Sequence, residues 1–470
     1  MSSTAATITK TTQSVAPTVI PVASRAPERL AAAQRRAAFP YHFPRDGRRL
    51  GGSYTVEENA RRLQRFFYLE RRLSHALGSW TLAIGEFEVK VETGRHIFWH
   101  MDAARILRAR LTEQERRLTQ IDDFRDPQID MLIEELLSAA SVPELLVGVH
   151  QVVGRALQRA YRHHIDMTCP VADAPTIRAL KQILLDTDEM LDWADAAIGA
   201  FVQGGVDESA LESWRWHLGQ LLASIGGVTG SEGVAERPRV LRCEAKPYVR
   251  NTVPQRDSRF VTFQNCGDHN VFDGTPRYAH GSYELERLTF IRSQRDEVDA
   301  IEAFGTFLWD IANKGFDAEY ALARITWDES RHTEMGHRSM LASGFDPFEL
   351  PNRLTSSVCR GPMKAEFGMA EINLFGEVSV MKGIGGTIDR AREHGDTVLA
   401  HVADFIRSDE RTHVRNGQKI LKTMTTLDNP TLELRTREVF TECLIGLGVV
   451  KPGEPGFVIS REDVERFIGE

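Results

Sequence analysis

Two short stretches of the 470-residue sequence carry one chemical pattern, Trp327-Asp328-Glu329-Ser330-Arg331-His332 and Ser408-Asp409-Glu410-Arg411-Thr412-His413. On an α-helix, a Glu and a His three residues apart lie side by side on one face, so each pair can hold a metal ion. Two such pairs on separate helices, with single Glu residues on two further helices, place two ions inside a four-helix bundle. Four carboxylates bring about four negative charges, which match two divalent cations, and neutral imidazole supplies nitrogen suited to iron. A chain with 15 His and an ordinary share of Glu should contain about one accidental Glu-x-x-His, yet three occur. The third, Glu334 to His337, overlaps the first but is rotated away from it and reads as a solvated or interface pair.

The elements that must position these residues follow from apolar spacing and from Gly and Pro punctuation. Four helices are expected at about 293–313, 316–343, 362–392 and 397–424. Gly315 is expected as a left-handed stop, Asp317 as a cap, and Gly383, Gly385 and Gly386 as a weak point where the third helix kinks. Residues equidistant from a tight turn lie at one level of an antiparallel hairpin. The turn at His394-Gly395 puts Glu377, 33 residues before Glu410, opposite Glu410 and His413. The turn at Lys314-Gly315 points to Asp299 through Glu302. Glu302, among Ile301, Ala303 and Phe304, reads as the buried ligand, with Asp299 as the alternative, and the charged run Asp296-Glu297-Val298-Asp299 reads as more exposed.

Residues 293–425 thereby resemble the ferritin-like di-iron carboxylate superfamily, whose order is Glu, Glu-x-x-His, Glu, Glu-x-x-His. The resemblance implies the ligands Glu302, Glu329, His332, Glu377, Glu410 and His413 and a cofactor of two iron ions, with manganese admitted by the oxygen-rich set. It implies an all-α fold, a ferritin-like four-helix bundle with a dinuclear metal site beside a second, N-terminal helical domain. The activity expected is that of a non-haem di-iron oxidoreductase using O₂ or peroxide to oxidise a small organic substrate by hydroxylation, desaturation or N-oxygenation. An electron-donor protein and a second copy of the chain are the partners such an enzyme could take. Iron oxidation and storage, di-manganese peroxide chemistry and a structural metal bundle are the alternatives, because fold does not fix reaction.

Around the ligands, Asp328, Arg331, Asp409 and Arg411 could hydrogen-bond the coordinating rings, or form a solvent-facing charge ladder. Asn373 and Thr306, one turn from Glu377 and Glu302, could line substrate space or simply pack. Trp309, Trp327 and Phe375 read as core rather than as an electron relay.

The rest of the chain divides into a tail (1–50), a helical domain (51–226), an irregular segment (227–285), the metal-binding bundle (286–428) and a helical extension (429–470). The tail, rich in Ser, Thr and Ala near its start, is expected to be disordered rather than a transit peptide. The 51–226 region could be a degenerate ferritin-like copy. Glu70, Asp102 and Arg105, then Asp186, Asp188 and Glu189, fall where ligands would be wanted, but Arg cannot ligate an ordinary metal. His96 and His100 form an i,i+4 pair that reads as helix-surface or core imidazoles. A net charge of −8 argues against nucleic acid, no apolar run is long enough to span a membrane, and five scattered Cys fit reduced thiols in a cytoplasmic protein.

Overall fold

In the computed structural model, which describes residues 50–260, 262–263, 271–272, 275–276, 278–350 and 352–448, apolar residues at three- and four-residue steps become helices. Leu63, Phe66, Phe67, Leu73 and Leu77 are wholly buried along α1 (Val56–Trp80), whose first turn is capped by the Thr55 hydroxyl accepting from the Glu58 N–H. The first half continues with α2 (Phe87–Glu113), the short α3 (Leu118–Asp122), α4 (Pro127–Leu137) and α5 (Val142–Leu146). A π-helical segment, Val147–Gly154, leads into α6 (Arg155–Met167), followed by α7 (Ala174–Gln203), α8 (Glu208–Ser224) and the one-turn α9 (Arg242–Ala245).

The second half comprises α10 (Tyr283–Arg295), α11 (Val298–Asp310), α12 (Phe316–Ala342), the short α13 (Thr355–Arg360) and α14 (Ala365–Ala370). A second π-helical segment, Glu371–Gly376, runs into α15 (Glu377–Glu393), then come α16 (Thr397–Met424) and α17 (Asn429–Gly446). Both halves therefore share one serial order: two long helical arms, short crossover helices, a helix carrying a π segment, and another long helix. Wide turns of this kind shift side chains around the helix axis and are frequent at functional sites.

Three local expectations are corrected. The arm expected at 293–313 is two helices, α10 and α11, that meet at Asp296-Glu297. The left-handed residue after α11 is Asn313 (φ 68°), whereas Gly315 takes φ 153°, ψ 119°, which suits glycine, and it occupies the N-cap of α12 without help from Asp317. The third helix runs through Gly383 to Gly386, and its irregularity is the π segment before Glu377.

Helices α1 and α2 pack on α11 and α12, and one apolar core runs from Ala60 to Leu432. Residues Gly51 to Gly448 belong to one compact unit, so the helical stretches at 51–226 and 286–428 share a core. A buried ion cluster fastens them. Glu319 of α12 accepts from Arg71 Nε at 2.6 Å and Nη2 at 2.7 Å and lies 3.0 Å from His75 Nε2, both partners being on α1. Burial opposes the charge on Glu319, but His75 and Arg71 hold it far below the usual carboxylate range.

Within 227–285 the described residues are mostly irregular. They include two two-residue ladders, Thr262–Phe263 parallel to Asn352–Arg353 and Val271–Phe272 antiparallel to Thr275–Pro276. The segment straps the turn between α1 and α2, where the Gln255 N–H donates to Leu82 O at 2.8 Å and the Tyr248 hydroxyl donates to Ser79 O at 3.1 Å. Cys169, Cys243, Cys359 and Cys443 are free thiols. Among the described residues no helix is long and apolar enough to cross a membrane. The expected tail and the end of the C-terminal extension lie outside the described residues.

Candidate metal centre

Five of the six sequence-derived ligands meet between α12, α15 and α16, and a sixth arrives from an unexpected place. Glu329 and His332 project from α12, Glu377 from the start of α15, and Glu410 and His413 from α16. All five are buried. The sixth is Glu297, at the joint of α10 and α11, whose Oε2 lies 3.1 Å from His332 Nδ1.

Glu302 is not in this group. It lies five residues after Glu297, about 140° around the axis of an ideal helix, and so faces the other way. There, wholly buried, its carboxylate meets Lys90 of α2 and Arg256 of the strap. The alternative, Asp299, faces Arg353 at 3.4 Å and Arg360 at 4.0 Å. Thr306 spends its hydroxyl on the carbonyls of Glu302 and Ala303 in its own helix.

The geometry is nearly two-fold. His332 Nδ1 faces Glu297, Glu329 Oε2 at 3.6 Å and Glu410 Oε1 at 3.7 Å. His413 Nδ1 faces Glu329 Oε1 at 3.2 Å, Glu410 Oε2 at 3.5 Å and Glu377 Oε1 at 3.7 Å. Glu329 and Glu410 thus turn one oxygen toward each imidazole, while Glu297 and Glu377 stand at opposite ends. Donor atoms fall into two groups, each within 4.8 Å: Glu297, Glu329, His332 and Glu410, and Glu329, Glu377 and His413.

Behind each ring stands an Asp from the opposite helix. His332 Nε2 is 3.3 Å from Asp409 and His413 Nε2 is 3.4 Å from Asp328. Carboxylates in this position fix the tautomer and direct the other nitrogen at the metal. Arg331 joins the two Asp residues, with Nη2 3.0 Å from Asp409 and Nη1 on Asp328, and Arg324 adds 2.9 Å to Asp328. Arg411 is exposed and takes no place in this set. Trp327 stacks on Phe98 at 4.9 Å, Trp309 meets Tyr248 edge-on, and Arg437 covers Phe375, which are packing roles. Glu334 pairs with Arg338, and His337 stacks on Phe87, away from the centre.

Two close helix approaches hold the arrangement. A Cβ on Gly336, one turn after His332, would come 2.2 Å from Arg295 N, and one on Gly417, one turn after His413, would come 1.9 Å from Asn373 Oδ1. The first lets α10 end where Glu297 reaches His332. The second seats the π segment on α16, where Asn373 Nδ2 donates to Glu377 Oε2. Gly336→Ala should push α10 off α12, cost about 1–3 kcal/mol of stability and weaken metal binding on the Glu297 side, read by thermal melts and metal titration.

The ligand set carries more negative charge than its surroundings tolerate. Burial pushes the Glu297 carboxyl up to about 8 and the Glu377 carboxyl well above its usual range. Burial also opposes charge on Glu329, but the His332 and His413 imidazoles facing it hold that carboxyl at about 2. It opposes charge on both imidazoles as well, yet Asp409 behind His332 and Asp328 behind His413 raise them well above their ordinary value. Glu377 Oε1, Glu410 Oε2 and His413 Nδ1 are buried without hydrogen-bond partners. Two divalent cations would satisfy these atoms and balance four ionised carboxylates, so the residues fit a dinuclear centre.

A stability profile follows. Glu297, Glu377, His332 and His413 all bind protons more tightly folded than unfolded. Chelator-treated protein should therefore lose stability as pH rises through about 8, the value for Glu297. Metal-loaded protein, whose cations replace those protons, should not show this fall in melting temperature.

No protein-family model matches the chain, and neither a curated protein nor a solved structure is significantly similar to it.

Proposed function

We propose that the chain is a non-haem di-iron oxidoreductase of ferritin-like type that uses O₂ or peroxide to oxidise a small organic molecule. The observation that carries this reading is the pair of ligand groups sharing Glu329, each completed by an imidazole with a carboxylate behind it. Glu297, Glu329, His332, Glu377, Glu410 and His413 would hold the metals, which when bound would supply the electrons for reducing O₂ or peroxide.

The chain's own residues do the rest. Glu329 and Glu410, each with one oxygen toward either imidazole, would hold metal on both sides. Asn373 holds one oxygen of Glu377 and leaves the other facing His413. Glu297 is the most open ligand, its side chain 19% exposed against 7% or less for the others, so substrate and protons approach from its side. The four carboxylates suit manganese too, and disproportionation of peroxide without an organic substrate would identify that variant.

The test is metal content after anaerobic purification, beside a Glu410→Ala, His413→Ala double variant. About two irons per chain, lost in the variant together with O₂ consumption, are expected. Folded, iron-reconstituted protein without stoichiometric metal would overturn the reading.

A further inference from the structure

The first half gathers a second set of buried polar side chains from all four of its long arms. Glu70 comes from α1, His96 and His100 from α2, His150 from the π segment, Tyr161 from α6 and Trp193 from α7. The three imidazoles are 1%, 2% and 1% exposed in sequence order. The His150 ring centroid lies 4.9 Å from that of His96 and 6.5 Å from that of His100, and Trp193 closes one side, edge-on to His96 at 5.0 Å.

Glu70 accounts for one side of His100. Its Oε2 lies 2.5 Å from His100 Nδ1, and the Tyr161 hydroxyl donates to its Oε1 at 2.5 Å. A carboxylate on Nδ1 fixes the tautomer whose Nε2 lone pair is free, as Asp409 and Asp328 do with the opposite nitrogens of His332 and His413.

Three nitrogens of the cluster make no hydrogen bond. Nε2 of His96, of His100 and of His150 are all buried without a hydrogen-bond partner. Each such atom costs about 1–3 kcal/mol; His96 Nε2 faces the Glu92 carboxylate, so Nε2 of His100 and of His150 are the two that call for an occupant. Glu92 Oε1, 3.2 Å from His96 Nε2, adds an oxygen donor at the edge of the set.

We infer that His96, His100 and His150 form a second site, for one divalent transition-metal ion, separate from the carboxylate centre. Imidazoles about 2.1 Å from one tetrahedral ion have ring centroids about 5 Å apart. The 4.9 Å pair already satisfies this, and the 6.5 Å pair must close by about 1.5 Å. Among the described residues only the carboxylate centre has three or more donor atoms within 4.8 Å of one another, so the imidazole set is the more open and tightens on binding. Its nitrogen-rich donors select zinc, cobalt(II) or copper(II) over manganese.

The test is titration of cobalt(II) into the full chain carrying Glu410→Ala and His413→Ala, which disables the carboxylate centre. One equivalent is expected to bind with the strong visible absorption of four-coordinate cobalt, and adding His150→Phe should abolish it. No cobalt bound by the folded double variant, or binding unaffected by His150→Phe, would overturn the site without touching the reading of the carboxylate centre. Anomalous diffraction from cobalt-soaked crystals of the unsubstituted chain needs no variant to fold. A peak among the three imidazoles supports the site, and cobalt confined to the carboxylate centre overturns it.

Discussion

Glu302→Ala is expected to lower folding stability by about 3–5 kcal/mol and leave metal content at the wild-type level. The carboxylate is wholly buried and is the shared anion of Lys90 and Arg256, so its loss strands two cations in the interior. Lys90 can shed its proton, since burial already lowers it to about 8 against the pull of Glu302, but Arg256 cannot. Glu297→Ala should do the reverse. It removes a carboxyl that burial holds up at about 8, so metal-free stability should change little, while metal binding on the His332 side should weaken sharply. Chemical denaturation and metal analysis of both variants read the two effects. Metal loss with retained stability in Glu302→Ala would return the ligand role to that residue.

Glu302 fails to reach the centre for a physical reason. Matching levels across a hairpin assumes one straight helix, whereas α10 and α11 meet at Asp296-Glu297. Asp296 is held there by its neighbour Arg295 and by Asn352 at 2.8 Å, the second a long-range contact invisible in a local pattern. Burial was the other misleading cue. Apolar neighbours made Glu302 look like an interior residue, and it is one, but its partners come from α2 and the strap. The spacing was the better guide: Glu377 precedes Glu410 by 33 residues, and Glu297 precedes Glu329 by 32. The repeat is also longer than Glu-x-x-His. Asp-Glu-x-x-His-x-x-x-Gly occurs at Asp328–Gly336 and Asp409–Gly417, adding the residue behind the opposite ring and the glycine of the close approach. The helices themselves were legible because their stripes are long, and α16 begins and ends at the expected residues. His150 was not, because its role depends on a π segment that brings it to His96 and His100.

Glu329→Ala should empty both metal positions, whereas Glu297→Ala and Glu377→Ala should each weaken one. Glu329 turns Oε1 to His413 and Oε2 to His332 and belongs to both ligand groups, while each end carboxylate belongs to one. Asp409→Asn or Asp328→Asn gives the scale, since loss of a carboxylate behind a ligating ring costs about 10–100-fold in affinity. Loss of Glu329 should exceed that at both positions. Stepwise metal titration with a spectroscopic readout distinguishes the cases: two weakened steps for Glu329→Ala, one intact and one weakened step for either end variant. A single weakened step in Glu329→Ala would mean that the two positions are built independently. The reciprocal contacts of His332 with Asp409 and His413 with Asp328 argue against that, because each position depends on a side chain from the helix that supplies the other.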